Sequence, residues 1–424
     1  MRNIMASRDS DWREEAENSI LLKAVSHWRE EPERWFQGSY DRLPETVRVN
    51  PMSEEKDWVE SWLSGVGANR IPWFSGPGSA WEMPFNRGSA QEEVKILMTA
   101  LHDTGRITRQ EAVSMLPVLA LDPTPGHIVL DLCASPGSKT TQICEHLGDS
   151  GAVIANEVIS GRVNTLVTNV HRHASRAVLV VQHDGRHIPK VPGSGFDGVL
   201  VDVPCTGSGT TRKNPDVWGK WRPSSGRSLH SLQYDLLRRA IAVTKPGGRV
   251  VYSTCSLDPI ENEAVVSRAV ADGNVRVIPC GDSLSGVPSN PGMANWALLN
   301  DRGELDVEST FEEYLFPPKD KAVSSQLSDC LRVWNDEIGG GGFFLAVLEK
   351  VQGEDVSRTI DPFPSQKTFD DPESFPRPID EEREIELREV WGSVPSNMWS
   401  RGKSLLWSSD EIRKIWGADR TRKS

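Results

Sequence analysis

The sequence predicts an α/β protein built on a mostly parallel sheet, and three observations carry that expectation. Short apolar runs recur at residues 128–131, 152–156, 177–181, 198–203 and 249–253, each the length of a buried strand. Segments of helical spacing lie between them, at 160–173 and 229–243, and such alternation implies right-handed crossovers between parallel neighbours. The first run passes through Pro136 and Gly137, which cannot continue a strand, into a helical pattern from Ser138 to about His146.

Upstream, residues 1–17 are charged and expected to be a flexible N-terminus. The spacing of Leu21, Leu22, Val25, Trp28 and Trp35 predicts one amphipathic helix over 20–35, alternation predicts a short strand over 44–51, and helical patterns return at 57–63 and 91–102. Residues 71–84 are rich in Trp, Pro and Gly and read as irregular. Together these suggest a small α/β N-terminal domain over 18–108, followed by a main domain over 109–350 in which 275–278 and 343–348 add two strands, the last after the glycine run 339–342. Residues 351–380 read as an acidic, proline-rich linker. Residues 381–424 read as a short helical, tryptophan-rich extension with a basic end (Arg413, Lys414, Arg420, Arg422, Lys423).

Composition narrows the class. A chain of 424 residues can bury more than one core, and 37% hydrophobic with 25% charged residues describes a soluble globular protein. No run approaches a membrane span and the N-terminus lacks the apolar centre of a signal peptide, so the expected setting is intracellular: cytoplasmic for a prokaryotic source, with the nucleus open for a eukaryotic one. Six cysteines without a C-x-x-C pair are thiols, neither a disulfide framework nor a metal knuckle, and no metal is expected. The net charge of −12 opposes nucleic acid at first count, but residues 354–389 alone hold twelve acidic and five basic side chains, so the rest can still carry a basic groove. No long exposed apolar helix advertises a partner surface, and a monomer is expected.

The loop after the first strand is where an open parallel sheet places a ligand. A phosphate loop fails there, because position 132 is Leu and Lys139 follows Ser138 instead of Gly. A dinucleotide fingerprint fails because Gly137 is the only glycine of the turn. What remains, Asp131 with one close-approach glycine, suits a ligand with cationic or hydroxylated parts.

Polar residues end every strand: Asp131, Glu157, His183-Asp184, Asp202-Val-Pro-Cys205 and Thr254-Cys255. One such acid alone reads as a helix cap, but the ordered set places all of them along a single sheet edge. If the fourth and fifth strands are neighbours, their ends lie about 5 Å apart, which lets Cys205 and Cys255 face one small substrate. Both thiols sit in polar turns, where cysteine can ionise and react.

Asp131-Leu-Cys-Ala-Ser-Pro-Gly-Ser-Lys139, Asp202-Val-Pro-Cys-Thr-Gly207, Arg212-Lys-Asn-Pro215 and Tyr252-Ser-Thr-Cys-Ser256 resemble the signature motifs of the Nop/Sun-type RNA (cytosine-5) methyltransferases. The resemblance spans roughly residues 18–350, and Arg109-Gln-Glu-Ala-Val-Ser-Met115 and Leu315-Phe-Pro-Pro-Lys-Asp320 look most like the tRNA-modifying branch. Ser135 departs from the alanine more usual there. The resemblance implies a Rossmann-like S-adenosyl-L-methionine-dependent methyltransferase sheet and an RNA substrate, tRNA ahead of rRNA. It also implies a donor loop of Cys133, Ala134, Ser135, Pro136, Gly137, Ser138 and Lys139, with Glu157 on the ribose, Asp184 on the adenine side, Arg162 in support and Asp202 between donor and target base.

Cys255 would be the nucleophile, Cys205 the thiol that assists product release, and Lys139 an assisting catalytic group. The chemistry needs a thiolate, because adding one to carbon 6 turns cytosine into an enamine whose carbon 5 can accept a methyl group. The target base must be flipped or unpaired to be reached. Arg109, Arg212 and Lys213 are candidate phosphate contacts and Trp218 or Trp221 could stack on a base, with ordinary solvated charges and core tryptophans as the equally weighted alternative. A DNA cytosine methyltransferase would use the Pro-Cys thiol and has no need of Cys255. A non-catalytic RNA-binding assembly factor needs neither thiol.

Overall fold

The computed structural model describes residues 12–148, 150–190, 193–351 and 377–415. Most of the expected flexible terminus and of the linker, and the tail from Trp416 with Arg420, Arg422 and Lys423, fall outside the described residues.

The described chain opens with a helical stretch at residues 12–17, whose Ala16 is buried although a flexible terminus was expected there, followed by helices α1 (Ile20–Trp28) and α2 (Pro32–Gly38). These replace the single helix expected over 20–35, because Pro32 cannot donate to a preceding turn and so starts a new helix. A four-stranded antiparallel sheet follows, in the order β2-β3-β1-β4, formed by β1 (Pro44–Val49), β2 (Asn69–Arg70), β3 (Ser79–Asn86) and β4 (Ile107–Arg109). Helices α3 (Lys56–Gly65) and α4 (Glu92–Asp103) close its core through Val59, Leu63, Met98 and Leu101. The stretch 71–84 is thus not wholly irregular, since β3 pairs with β1. Its Pro84 lies where the register shifts opposite Glu45, a bulge that needs no ladder donor and that hides the strand from sequence.

Helices α1 and α2 do not pack on that sheet. Trp28 meets Trp221 with centroids 5.7 Å apart, and Trp35 meets Trp218 at 5.5 Å, so residues 18–108 divide among three cores, with Ile71, Trp73 and Ala80 joining that of the main sheet.

The main sheet starts after the apolar helix α5 (Leu116–Leu121) with β5 (Ile128–Asp131), α6 (Ser138–Leu147), β6 (Ala152–Asn156), α7 (Ser160–His173), β7 (Val178–Val181) and β8 (Phe196–Asp202). It continues through α8 (Pro223–Val243), β9 (Thr244–Thr254), α9 (Glu263–Ala271), β10 (Val275–Ile278), β11 (Asn290–Pro291), β12 (Leu331–Val333) and β13 (Phe343–Lys350). The order is β11-β12-β13-β9-β8-β5-β6-β7, with β10 also on β13. Strands β5 to β9 pair in parallel as expected, whereas β10 to β13 add antiparallel. Buried side chains pack both faces, Leu130, Val199 and Leu237 on one and Val129, Leu200 and Val251 on the other, each stabilising by about 1.5–3 kcal/mol.

The chain goes from β5 outward to β6 and β7, then returns to the other side of β5 at β8. That reversal opens a crevice above the carboxyl ends of β5 and β8, where this kind of sheet binds ligands.

The C-terminal part holds β14 (Arg377–Pro378), α10 (Glu381–Trp391), β15 (Met398–Arg401), β16 (Ser404–Trp407) and α11 (Asp410–Ile415). It is a three-stranded sheet with flanking helices, not the helical extension expected, because Gly402 at φ 52° turns the chain back on itself. Ser409 donates to the Gly151 carbonyl at 2.7 Å, Gly151 N–H donates to Glu411 at 2.9 Å, and Ile412 and Ile415 enter the main core.

Candidate active site

The loop leaving β5 is held open by its own backbone. Gly137 sits at φ 111°, and a Cβ there would lie 3.0 Å from Leu166 Cδ1. Helix α6 follows with no side chain capping its first N–H groups, which leaves a positive dipole end facing the crevice. Arg162 grips the loop from α7: its guanidinium donates to the Ser135 carbonyl at 2.8 Å, while Ser135 Oγ donates back to the Arg162 carbonyl at 3.1 Å. The hydroxyl that sets Ser135 apart from alanine therefore ties the loop down. Asn169 Nδ2 adds a bond to the Pro136 carbonyl at 2.7 Å.

Asp131 is 1% exposed and accepts from Thr140 Oγ1 at 2.7 Å through one oxygen, while its Oδ1 has no protein partner. Burial pushes its carboxyl up to about 7. Glu157, buried beyond the end of β6, accepts from the Ile159 N–H at 2.9 Å and lies 3.5 Å from Arg162 Nη1. Asp184, beyond β7, is turned onto Arg186, whose guanidinium is 2.6 Å away and holds its carboxyl below the usual range.

The thiols of Cys205 and Cys255 meet because β8 and β9 pair in parallel, with Asp202 opposite Ser253. Cys205 and Cys255 sulfurs are 3.2 Å apart. The hydrogen bond with Cys255, and after it burial, push the Cys205 thiol well up. Burial pushes the Cys133 thiol up as well, which leaves it inert.

Lys139 spans the site from α6, donating to Asp202 at 2.7 Å and to Ser114 Oγ at 2.9 Å. Burial opposes its charge, but the Asp202 carboxylate outweighs burial and raises its pKa, so the lysine is a cation. The other Asp202 oxygen accepts from Ser253 at 2.8 Å. Ser114 and Ser253 lie inside the motif stretches 109–115 and 252–256 but drew no role from the sequence; Ser114 reaches Lys139 only through tertiary folding.

A cavity of about 510 Å³ opens between the N-terminal sheet and the main sheet, lined at its floor by Gly137, Ser138, Lys139, Asp202 and Cys255. Among the expected site residues Pro136 and Arg162 also line it, while Cys133, Ala134, Ser135, Glu157, Asp184 and Cys205 lie behind or beside it. Its rim carries Arg87, Arg109, Arg172 and Lys213. Arg109 is paired with Glu45 at 2.8 Å.

Two sequence expectations fail here. Arg212 donates to the carbonyls of Asp41, Asn335 and Gly340, bracing loops instead of facing a phosphate. Trp218 and Trp221, 0% and 3% exposed, are core side chains with no face for a base.

A family model described as "16S rRNA methyltransferase RsmB/F" matches residues 118–349, which include the donor loop, Lys139, Asp202 and both thiols. The chain belongs to the RsmB/F methyltransferase family. This family member is 36% identical over 315 residues to the multisite-specific tRNA:(cytosine-C(5))-methyltransferase of Saccharomyces cerevisiae, covering 68% of this chain and 46% of that one. It is 40% identical over 319 residues to the tRNA (cytosine(34)-C(5))-methyltransferase of Drosophila melanogaster, covering 66% and 42%. The chain thus spans less than half the length of these curated relatives. A crystal structure of a methyltransferase homolog from Pyrococcus horikoshii superposes with a TM-score of 0.57 at 29% identity, over 78% of this chain and 93% of that one. The α/β sheet is accordingly the Rossmann-like methyltransferase sheet, and the N-terminal sheet that roofs the cavity lies outside the matched family segment.

Among the described residues no helix is long and apolar enough to cross a membrane, and no cluster of three or more His, Cys, Asp or Glu side chains could hold a metal.

Proposed function

We propose that this chain methylates carbon 5 of cytosine in RNA with S-adenosylmethionine as donor, acting on tRNA ahead of rRNA. The observation that carries the proposal is the 3.2 Å approach of Cys205 and Cys255 at the floor of a crevice that also holds the Lys139–Asp202 pair. A binding module has no use for two thiols in contact beside a buried cation.

The residues fit the donor. The uncapped start of α6 and the left-handed Gly137 leave backbone N–H groups for a carboxylate, and Asp131 Oδ1 is a buried acceptor without a partner. Glu157 and Asp184 close the successive strand ends, where hydroxyl and amino groups would be held; Asp184 would have to share its Arg186 contact. When bound, S-adenosylmethionine supplies an electrophilic methyl group.

The chain's own groups then divide the work. Cys255, which lines the cavity, adds as thiolate to carbon 6 of the base and carbon 5 becomes nucleophilic; once carbon 5 is methylated, its proton leaves to a base and the carbon 6–sulfur bond breaks, which restores the ring and frees the thiolate. Cys205, with its sulfur 3.2 Å from that of Cys255, is placed to assist release of the product from that sulfur. Asp202, oriented by Lys139 and Ser253, faces the base edge. Lys139 holds Asp202 in place and keeps a positive charge near the reacting atoms. The rim cations Arg87, Arg172 and Lys213 would take phosphates, with Arg109 shared with Glu45.

The test is transfer of labelled methyl to unmodified tRNA and to rRNA by wild type, Cys255→Ala and Cys205→Ala, analysed on denaturing gels. Product is expected from wild type, none from Cys255→Ala, and a trapped protein–RNA adduct from Cys205→Ala. An active Cys255→Ala sinks the nucleophile assignment; label on rRNA alone moves the substrate to the family's other class.

A further inference from the structure

Glu261 is fully buried behind the two thiol turns and does not line the cavity. Four donors converge on its carboxylate. One oxygen accepts from the Thr206 N–H and from Gln233 Nε2, both at 2.9 Å. The other accepts from Ser256 Oγ at 2.5 Å and from the Thr206 hydroxyl. Thr206 follows Cys205 directly and Ser256 follows Cys255 directly. A single carboxylate therefore holds the residue next to each thiol, although the thiols are 50 positions apart in sequence.

The surroundings make this a clamp and not an incidental contact. Ser208 Oγ lies 3.0 Å from Ser256 Oγ and accepts from the Leu257 N–H at 2.7 Å, stitching the same two turns once more. Trp221 Nε1 donates to Thr206 Oγ1 at 3.1 Å, and Tyr252 donates to the Glu261 carbonyl at 2.5 Å, which fixes the clamp's own backbone. With all four donors spent on one side chain, no rotation of either turn is free of cost.

We infer that Glu261 is a positioning residue that sets the Cys205–Cys255 spacing by tying Thr206 and Ser256 to one carboxylate. The inference rests on the proposed reaction for its catalytic consequence, but not for the spacing itself. An amide at 261 turns one accepting oxygen into a donor and cannot accept from all four partners, and alanine accepts from none.

The experiment uses full-length wild type, Glu261→Gln, Glu261→Ala and Cys205→Ala. Each is titrated with phenylarsine oxide, whose arsenic bridges two thiols only when both sulfurs are within bonding reach, and each is assayed for methyl transfer to tRNA. Wild type is expected to hold one bridged arsenical that Cys205→Ala lacks. Both Glu261 variants are expected to lose that bridge and to drop in kcat by about 10²-fold, the cost of a misplacement near 1 Å, with the KM for RNA unchanged. Should Glu261→Ala fail to fold, the near-isosteric Gln variant decides. Retention of the bridge in the variants overturns the inference whatever happens to kcat, and loss of the bridge with unchanged kcat overturns it too. If wild type methylates no RNA while the bridge still depends on Glu261, the reaction reading falls and the clamp stands.

Discussion

Arg48 on β1 and Glu145 on α6 form an ion pair that is wholly shut off from solvent, with Arg48 Nε 2.5 Å from Glu145 Oε2 and a second bond of 2.8 Å to Oε1. Arg48 also donates to Gln110 and to Thr141 Oγ1, and His173 lies 3.2 Å from Glu145. The pair pins the N-terminal sheet to the helix that begins at the donor loop. Replacing Arg48 with Met leaves Glu145 buried with His173 as its remaining partner and should cost about 3–5 kcal/mol in denaturant unfolding. The Arg48→Met/Glu145→Leu double variant should recover most of that loss.

The same pair predicts an acid limb of stability. Burial alone would raise Glu145, but Arg48, followed by His173, outweighs it and holds the carboxyl below its ordinary 4.5. A depressed folded value means stability that is present above pH 4.5 and lost as pH falls through the lower folded value. Comparing unfolding free energy from pH 7 down to pH 3 in wild type and the double variant should show the steeper decline in wild type.

Asp131 predicts the opposite slope. Its folded carboxyl is raised by burial from 3.8 to about 7, so its contribution is present at low pH and is lost as pH rises through about 7. Asp131→Asn should therefore gain stability relative to wild type between pH 4 and pH 8, read as a growing difference in melting temperature.

Lys139→Met removes the cation that faces Asp202 and should lower kcat by about 10²-fold or more. Ser114→Ala removes only one of the lysine's two acceptors and should lose less than about tenfold. Equal losses would mean that Ser114 does more than orient the lysine.

Lys213 and Trp218, adjacent in the sequence argument, should part in experiment. Lys213→Ala should weaken RNA binding uniformly and reduce the salt slope by about 1. Trp218→Ala should instead cost about 3–5 kcal/mol of stability, seen in denaturant melts, without changing the salt slope of whatever protein remains folded.

Much of this was legible in the chain. The parallel half of the sheet could be read because β5, β6 and β8 are short, nearly continuous apolar runs, and the site because its acids and thiols fall at strand ends. What escaped has physical reasons. Strand β3 escaped because a bulge absorbs Pro84, and the direction of β13 because apolar pattern does not say from which end a strand enters a sheet. Arg212 and Trp218 were misread because a charge or a ring beside a motif looks the same whether it faces solvent or a neighbour's carbonyl. Ser114 and Glu261 escaped because their partners, Lys139 at one and Thr206 and Ser256 at the other, are chosen by folding and not by spacing.

The glycine run ahead of β13 meets the Pro-Cys turn backbone to backbone: Gly342 N–H donates to the Gly209 carbonyl at 2.8 Å, Gly209 N–H donates to the Cys255 carbonyl at 2.9 Å, and a Cβ on Gly209 would lie 2.3 Å from the Gly342 oxygen. On the ribosome, both thiols emerge long before residue 342 does. The nascent chain can collapse its parallel strands early, since domains fold as their residues appear, and Glu261 can tie the two thiol turns then, yet this backbone brace is missing until β13 arrives. The Pro-Cys turn thus gains its last backbone bond only when β13 emerges, after the parallel strands and before the C-terminal part that docks on Gly151.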